Sequence, residues 1–239
     1  KECPFSEELL EQGRSIIRSI LKVDKDEGCY AAEPGQPFLL ALAAHMARVL
    51  GDPAWRMLVD GKVNYKDGVP VGFRERLPRT PAVYERKVRW KKYDPEYHVL
   101  EIRDNYKSAQ AATETLEKQY AEEIKEGRMI KLPLSVAKRR YGERLRIAPQ
   151  GAIEKGDGSL RAIHDATHGA GVNPNLRIRD QLRNPRGPEL RYVIRHCSAI
   201  AGPTFGLTAD VSKAHRRYKR RPRDWGLMAC RLEDPGSCS

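Results

Sequence analysis

The chain has 239 residues, 40% of them hydrophobic and 32% charged, which is enough for a buried core in one large domain or two modest ones. No run approaches the ~18 apolar residues of a membrane span, and no basic, apolar, small-residue leader marks a secretory signal, so membrane partners and export are not expected. Net charge is +12 and one-sided: residues 1–127 hold 21 Lys/Arg against 22 Asp/Glu, whereas residues 128–239 hold 23 against 10. Such a field is the footprint of a polyanionic partner, RNA or DNA, whereas a merely solubilising surface mixes its signs.

In chain order, Ser6 can cap a helix whose first turn carries Glu7 and Glu8. Leu9, Leu10, Ile16, Ile17, Ile20 and Leu21 follow at helical spacing. Pro37 suits a first helical position, and residues 38–50 continue a helix that Gly51 stops, with Leu39, Leu42, Ala43, Met46 and Leu50 as its apolar face. His45 within it reads as a packing or surface residue. These helices make residues 1–60 a helical N-terminal region. Gly61, Gly68, Pro70, Gly72, Pro78, Pro81 and Pro95 then punctuate residues 61–105, which read as an extended linker. Its basic run 86–92 holds Trp90 and reads as solvated charge.

Residues 106–126 form the longest helical pattern, with Ala109, Ala112, Leu116, Tyr120 and Ile124 on one face and Gly127 placed to end it. Residues 136–141 carry Lys138, Arg139 and Arg140 in a row. Residues 145–148, 152–155 and 160–165 read as short strands, and Asp157-Gly158 joins the last two as a hairpin turn. Lys155 lies on one side of that turn and Arg161 just after it. A helix is expected over 189–200 with Leu190, Val193, Ile194 and Cys197 inward, and further strands over 205–211 and 225–232. The run 216–223 has six cations in eight residues, a phosphate-contact patch that would be costly to bury.

Asp210 ends a short apolar run bounded by Gly202 and Pro203. An acid at the end of a buried strand needs a compensating cation, and hard oxygen ligands suit Mg2+. Lys155 and Arg161 on a hairpin tip could neutralise a triphosphate as it arrives, since phosphoryl transfer rests on positioning and charge. The bland readings are an exposed hairpin with ordinary surface charge and a helix N-cap at Asp210. His164 and His168 have the spacing of a metal pair, but the hairpin puts one in a strand and the other in a loop. Cys197 follows His196 with no assignable third partner, so a thiol hydrolase is unsupported. The five cysteines, Cys3, Cys29, Cys197, Cys230 and Cys238, are odd in number and lack a CxxC pair. They read as reduced intracellular thiols.

Three blocks in one order carry a resemblance. Leu116-Glu-Lys-Gln-Tyr120 with Glu126-Gly127-Arg128-Met129-Ile130 comes first. Gly151-Ala-Ile-Glu-Lys155-Gly-Asp157-Gly158-Ser159-Leu160-Arg161-Ala-Ile-His-Asp165 with Val172-Asn173 comes second. Phe205-Gly-Leu-Thr-Ala-Asp210-Val-Ser-Lys-Ala-His215 comes third. Together they resemble the fingers and first palm motif of retroelement reverse transcriptases, over roughly residues 110–232.

The resemblance implies an α+β chain in which residues 106–239 form an incomplete fingers–palm unit of an RNA-directed DNA polymerase. It implies that Asp210 is a metal-binding and catalytic carboxylate, with the Val211 carbonyl as a second Mg2+ ligand. Lys155 and Arg161 would contact the phosphates of a nucleoside triphosphate, and Asp165 would support the hairpin. His215 would stand where the family has an aromatic that screens the sugar 2′ position. Lys138, Arg139, Arg140, Arg216, Arg217, Lys219, Arg220 and Arg221 would contact nucleic acid. The family's later Tyr-x-Asp-Asp motif is not in the chain, and after Asp210 the only acids are Asp224, Glu233 and Asp234. Two-metal catalysis needs further carboxylates beside the first. The expectation is therefore the N-terminal part of such a polymerase domain, itself an internal fragment since it begins with Lys1 and not Met, that binds a template–primer without polymerising by itself. The alternatives are an inactive nucleic-acid-binding remnant or a basic structural component of a ribonucleoprotein.

Overall fold

The computed structural model describes residues 5–23, 32, 36–77, 85–86, 102–176, 180–181, 185–202, 210–211 and 214–232. The chain mixes helix and strand, compatible with the α+β class. Helix α1, Glu7–Leu21, starts where Ser6 Oγ accepts the Leu9 N–H at 3.2 Å and closes on Lys22 in the left-handed region. Helix α2 spans Leu40–Val49, and Gly51 at φ +75° ends it. His45 Nε2 meets the Leu21 carbonyl at 3.1 Å, a packing contact that ties the two helices. Around it Val23 and Leu42 are buried, with Leu21 and Leu39 packed against them.

Beyond that small cluster the apolar faces differ from the sequence expectation. In α2 the buried residues are Leu40, Leu42 and Ala44, while Leu50 is 80% exposed. In α1 Ile16 and Ile20 are exposed.

The expected linker is corrected in its first third. A short helix α3, Arg56–Val59, is followed by a turn that Asn64 locks by donating to the Gly61 carbonyl and to Asp67. Residues 68–74 then run into the core. Val69 and Arg220 form a parallel bridge and Phe73 and Leu176 an antiparallel one. Gly68 has to be glycine there: at φ +105° a Cβ would sit 2.8 Å from the Arg220 backbone. Phe38 stacks on Tyr218 at 4.7 Å, and Tyr65 lies 5.0 Å from the same ring. The N-terminal residues 36–77 are thus packed on the C-terminal ones, not hung from them by a tether. Strand β1, Glu85–Arg86, pairs antiparallel with a later strand; the rest of the run around Trp90 lies outside the described residues.

The long helical pattern forms as two pieces, α4 over Lys107–Gln110 and α5 over Thr113–Lys125. Ala109, Leu116 and Tyr120 are buried as the spacing predicts, and so is Glu123. Gly127, at φ +71°, ends α5, with the Arg128 N–H returning to the Glu123 carbonyl. Helix α6 covers Leu134–Tyr141. Strand β2, Ile147–Ala148, precedes the hairpin formed by β3, Gln150–Glu154, and β4, Leu160–His164. Strand β5, Asp180–Gln181, is the partner of β1.

Helix α7 spans Gly187–Ala201, its first turn fixed by the Arg186 N–H donating to Glu189 Oε2 at 3.0 Å. The expected inward face points to solvent instead: Leu190, Val193, Ile194 and Cys197 are all exposed. The expected strand over 225–232 shrinks to β6, Ala229–Cys230, which pairs parallel with β2. Before it the segment Pro222–Met228 winds as 3-10 turns. There Gly226 lets Tyr141 approach, since a Cβ would lie 2.7 Å from the Tyr141 ring base.

All strands of the described residues pair in twos, β1 with β5, β2 with β6 and β3 with β4. The main core gathers Phe73, Ala148, Ala170, Val172 and Leu227, with Val71, Ala166 and Leu176 against them. Among the described residues no helix is long and apolar enough to cross a membrane.

Candidate functional site

The hairpin is the best-formed part of the candidate site. Its five-residue strands pair from Gln150↔His164 to Glu154↔Leu160. At the tip the Lys155 N–H donates to the Ser159 carbonyl and the Gly158 N–H to the Lys155 carbonyl. Asp157 Oδ1 accepts from both the N–H and the hydroxyl of Ser159, which hold its carboxyl below the usual range. Lys155 and Arg161 both stand exposed.

Asp165 sits at the hairpin base. Its Oδ1 accepts the N–H groups of Thr167 and His168 at 2.9 and 3.1 Å, and its Oδ2 accepts the Tyr106 hydroxyl at 2.6 Å and meets His168 Nδ1 at 2.8 Å. Burial would raise the Asp165 pKa, but these donors outweigh it and hold the carboxyl well below the carboxylate range. His168 is therefore bound to Asp165 and His164 to Gln150, rather than to each other.

The hairpin is backed by the segment that precedes it. The Tyr106 N–H donates to the Gln150 carbonyl, the Ala152 N–H to Ser108 Oγ, and Gln119 Nε2 to the Leu160 carbonyl. Inside, Tyr120 Oη donates to Gln150 Oε1 at 2.7 Å, while Gln150 Nε2 donates to the Ala148 carbonyl and lies 3.1 Å from His164 Nδ1. Burial pushes the phenol of Tyr120 and the thiol of nearby Cys230 up. Tyr106, Ser108 and Gln150 lie outside every motif, whereas Gln119 and Tyr120 fall in the first resemblance block and Tyr120 also at helical spacing.

His215 is exposed; what burial it has, together with the fields of Arg216 and Arg161, lowers its pKa. Asp210 stands differently. Most of the expected strand over 205–211 lies outside the described residues, but Asp210 and Val211 themselves are exposed and in neither strand nor helix. Burial therefore gives Asp210 no need of a compensating ion. Among the described residues no group of three or more His, Cys, Asp or Glu could hold a metal ion. Asp210 and the Val211 carbonyl do not by themselves make a Mg2+ site.

The arginine run is also corrected. Lys138, Arg139 and Arg140 of α6 are exposed, with Arg140 5.4 Å from the Tyr141 ring. In the later run several cations are engaged inside the protein. Arg216 Nη1 lies 3.4 Å from buried Glu123, whose other oxygen holds Arg128 Nε at 2.7 Å. Arg221 pairs with Glu75 and, at 3.0 Å, with Asp224; Arg223 pairs with Glu75 at 3.0 Å. Asp224 is fully buried and takes the Val71 N–H at 2.9 Å and Arg144 at 2.5 Å. Burial would raise its pKa; the Val71 N–H and the guanidiniums of Arg221 and Arg144 turn the shift downward. Arg217, Lys219 and Arg220 are half-buried.

One buried cation has no such partner. Arg146, just before β2, is 6% exposed, and its Nε has no hydrogen-bond partner. Its guanidinium lies 5.3 Å from the centre of the Phe73 ring, with those of Arg74 and Arg144 at 5.2 and 5.8 Å from the same ring. Burial lowers the Arg146 pKa, Arg74 lowers it further, and Glu143 opposes them through its field. A desolvated cation–π contact contributes about 2 kcal/mol or somewhat more. The effective cost of burying an ion is several kcal/mol. Phe73 alone does not offset it.

No family model matches the chain, and no curated protein and no solved structure matches it either.

Proposed function

We propose that this chain is the fingers and first palm segment of a reverse-transcriptase-like nucleotidyltransferase, and that in this form it binds a template–primer rather than extending one. The observation that carries the reading is the β3–β4 hairpin: exposed Lys155 and Arg161 around a tight Asp157-Gly158 turn, a base fixed by Asp165, and His215 within the field of Arg161. That is an arrangement suited to phosphate. With further carboxylates beside them, Asp210 and the Val211 carbonyl would contribute to holding Mg2+ with the substrate's phosphates.

A second reading, a nucleic-acid-binding remnant of the same fold, is favoured by Asp224. It is the first acid after Asp210, and its carboxylate is committed to Arg144, Arg221 and the Val71 N–H. It is not available as a second metal ligand.

Fluorescence anisotropy with labelled single-stranded RNA and DNA from 50 to 200 mM salt tests the shared part of both readings. Four or five phosphates contacted by the exposed cations give a log–log slope of about −3. Salt-independent binding, or none, would remove the polyanion partner. Primer extension with Mg2+ separates the two readings from an active enzyme: no extension is expected, and template-dependent synthesis would overturn the claim that this form only binds.

A further inference from the structure

We infer that α1 is a self-association surface, pairing antiparallel with the α1 of a second copy of this chain across a twofold axis. Leu9, Gly13, Ile16 and Ile20 recur at spacings of four, three and four, which lines them up in one narrow seam along the helix. The fold does not cover that seam. No residue of α1 is buried, and Leu9, Ile16 and Ile20 are 51%, 61% and 71% exposed. At Gly13 a Cβ would meet nothing within 4 Å.

Two observations select a second copy as the occupant. The first is that the seam complements itself. An antiparallel pair centred between Arg14 and Ser15 sets Leu9 against the second copy's Ile20 and Ile16 over the second copy's Gly13, and the twofold repeats each contact. A branched side chain thus faces the one position of the seam that has none. The second observation is charge. Glu7 and Glu8 open the helix, and exposed Lys22 closes it. The same register brings Glu7 to the second copy's Lys22 and opposes the two helix dipoles. Glu11 pairs with Arg14 and Arg18 of its own helix, on the side away from the seam. Helix α7 also bares an apolar face, but it carries Arg191 and Arg195, and its one acid, Glu189, accepts the Arg186 N–H. A second α7 would offer those arginines no opposite charge. The pairing does not rest on the nucleic-acid reading.

The experiment is sedimentation equilibrium of the whole chain, with circular dichroism to check that each variant folds. So short a seam falls below a standard interface, so the expected Kd is on the order of 10–100 µM, and the chain should pass from monomer to dimer and stop there. Ile16→Glu, at an exposed position that meets the second copy twice, should weaken the dimer about tenfold or more. Ile194→Glu puts the same charge on the apolar face of α7 and should leave the dimer unchanged. Charge exchange reads the register. One chain carries Glu7→Lys with Glu8→Lys, and another carries Lys22→Asp, which suits the left-handed backbone there. Each should self-associate about fivefold more weakly at low salt. Mixed, the two should form a heterodimer of wild-type affinity, because every lysine at these positions then meets an acid.

A wild type that stays monomeric to about 500 µM would overturn the inference, as would assembly that grows past the dimer. A dimer that survives Ile16→Glu, or is lost in Ile194→Glu, would overturn it too. If Ile16→Glu does not fold, the charge exchange decides alone: a mixture no tighter than its two components means that α1 does not pair antiparallel with itself.

Discussion

The arginines after Arg216 and the two cations of the hairpin carry the same kind of charge among very different neighbours. Arg216, Arg221 and Arg223 reach carboxylates, and two of those carboxylates, Glu123 and Asp224, are buried to 1% and 0% exposure. Lys155 and Arg161 project from a two-stranded ribbon into solvent. A dense basic run in a sequence suggests a surface for polyanions, yet here much of it is spent neutralising acids brought in from residues 75 and 123. The sparser hairpin is the better candidate for a ligand, because its charge is not already compensated.

Substitution at Asp224 should break this contrast most severely. Asp224→Asn would leave Arg144 and Arg221 facing a neutral amide in a water-poor setting, at a cost of about 3–5 kcal/mol. For a chain of this size that corresponds to a midpoint lower by roughly 6–20 °C in a circular-dichroism melt. Adding Arg144→Met should recover part of the loss, since the two side chains act as one unit. A melt of Asp224→Asn within a degree of wild type would mean that this arginine cluster does not hold the C-terminal turns.

Asp165 gives a smaller effect, visible with pH. Its carboxyl is held below the ordinary range, so its contribution is fully present above its unfolded pKa, near 4, and is lost as pH falls toward the folded value. Stability should therefore drop below about pH 4, and Asp165→Asn should flatten that acid limb while lowering stability at pH 7. Tyr106→Phe, which removes one donor, should cost about 1 kcal/mol. Denaturant unfolding between pH 2.5 and 7 measures both; an acid limb as steep in Asp165→Asn as in wild type would assign the pH dependence to other carboxylates.

What was legible in the sequence was local. The Ser6 cap, the Gly127 stop and the Asp157-Gly158 turn each depend on residues within a few positions, and each forms where expected. What was not legible depends on distant partners. The Val71 N–H meets a carboxylate 153 residues away, so residues 68–74 look like punctuation until the fold closes on them. Helical spacing in α1 and α7 announces an apolar face but says nothing about what covers it, and in α7 that face meets solvent. Asp210 was placed by an apolar run that signals burial, yet the residue is exposed. The turn that leaves Lys155 and Arg161 exposed was legible in Asp157-Gly158; the layer behind it was not, because the Tyr106 hydroxyl on Asp165, the Gln150 amide between Tyr120 and His164, and Ser108 Oγ on the Ala152 N–H join residues far apart in sequence.

The hairpin cations give the smallest effect on stability and the sharpest on binding. Arg161→Ala and Lys155→Ala remove exposed side chains and should each change stability by no more than about 0.5 kcal/mol. If each contacts one phosphate, each should reduce the salt slope of single-strand binding by about 0.7, and the double variant by about 1.4. Loss of Arg161 should also relieve part of the field on His215, so its imidazole should titrate at higher pH, as NMR can follow. Arg223→Ala is the matched comparison: its side chain is also exposed but already paired with Glu75, so its removal should leave the salt slope closer to wild type. Equal losses of slope from Arg223 and Arg161 would erase the distinction between tied and available cations, and with it the reason for placing the ligand on the hairpin.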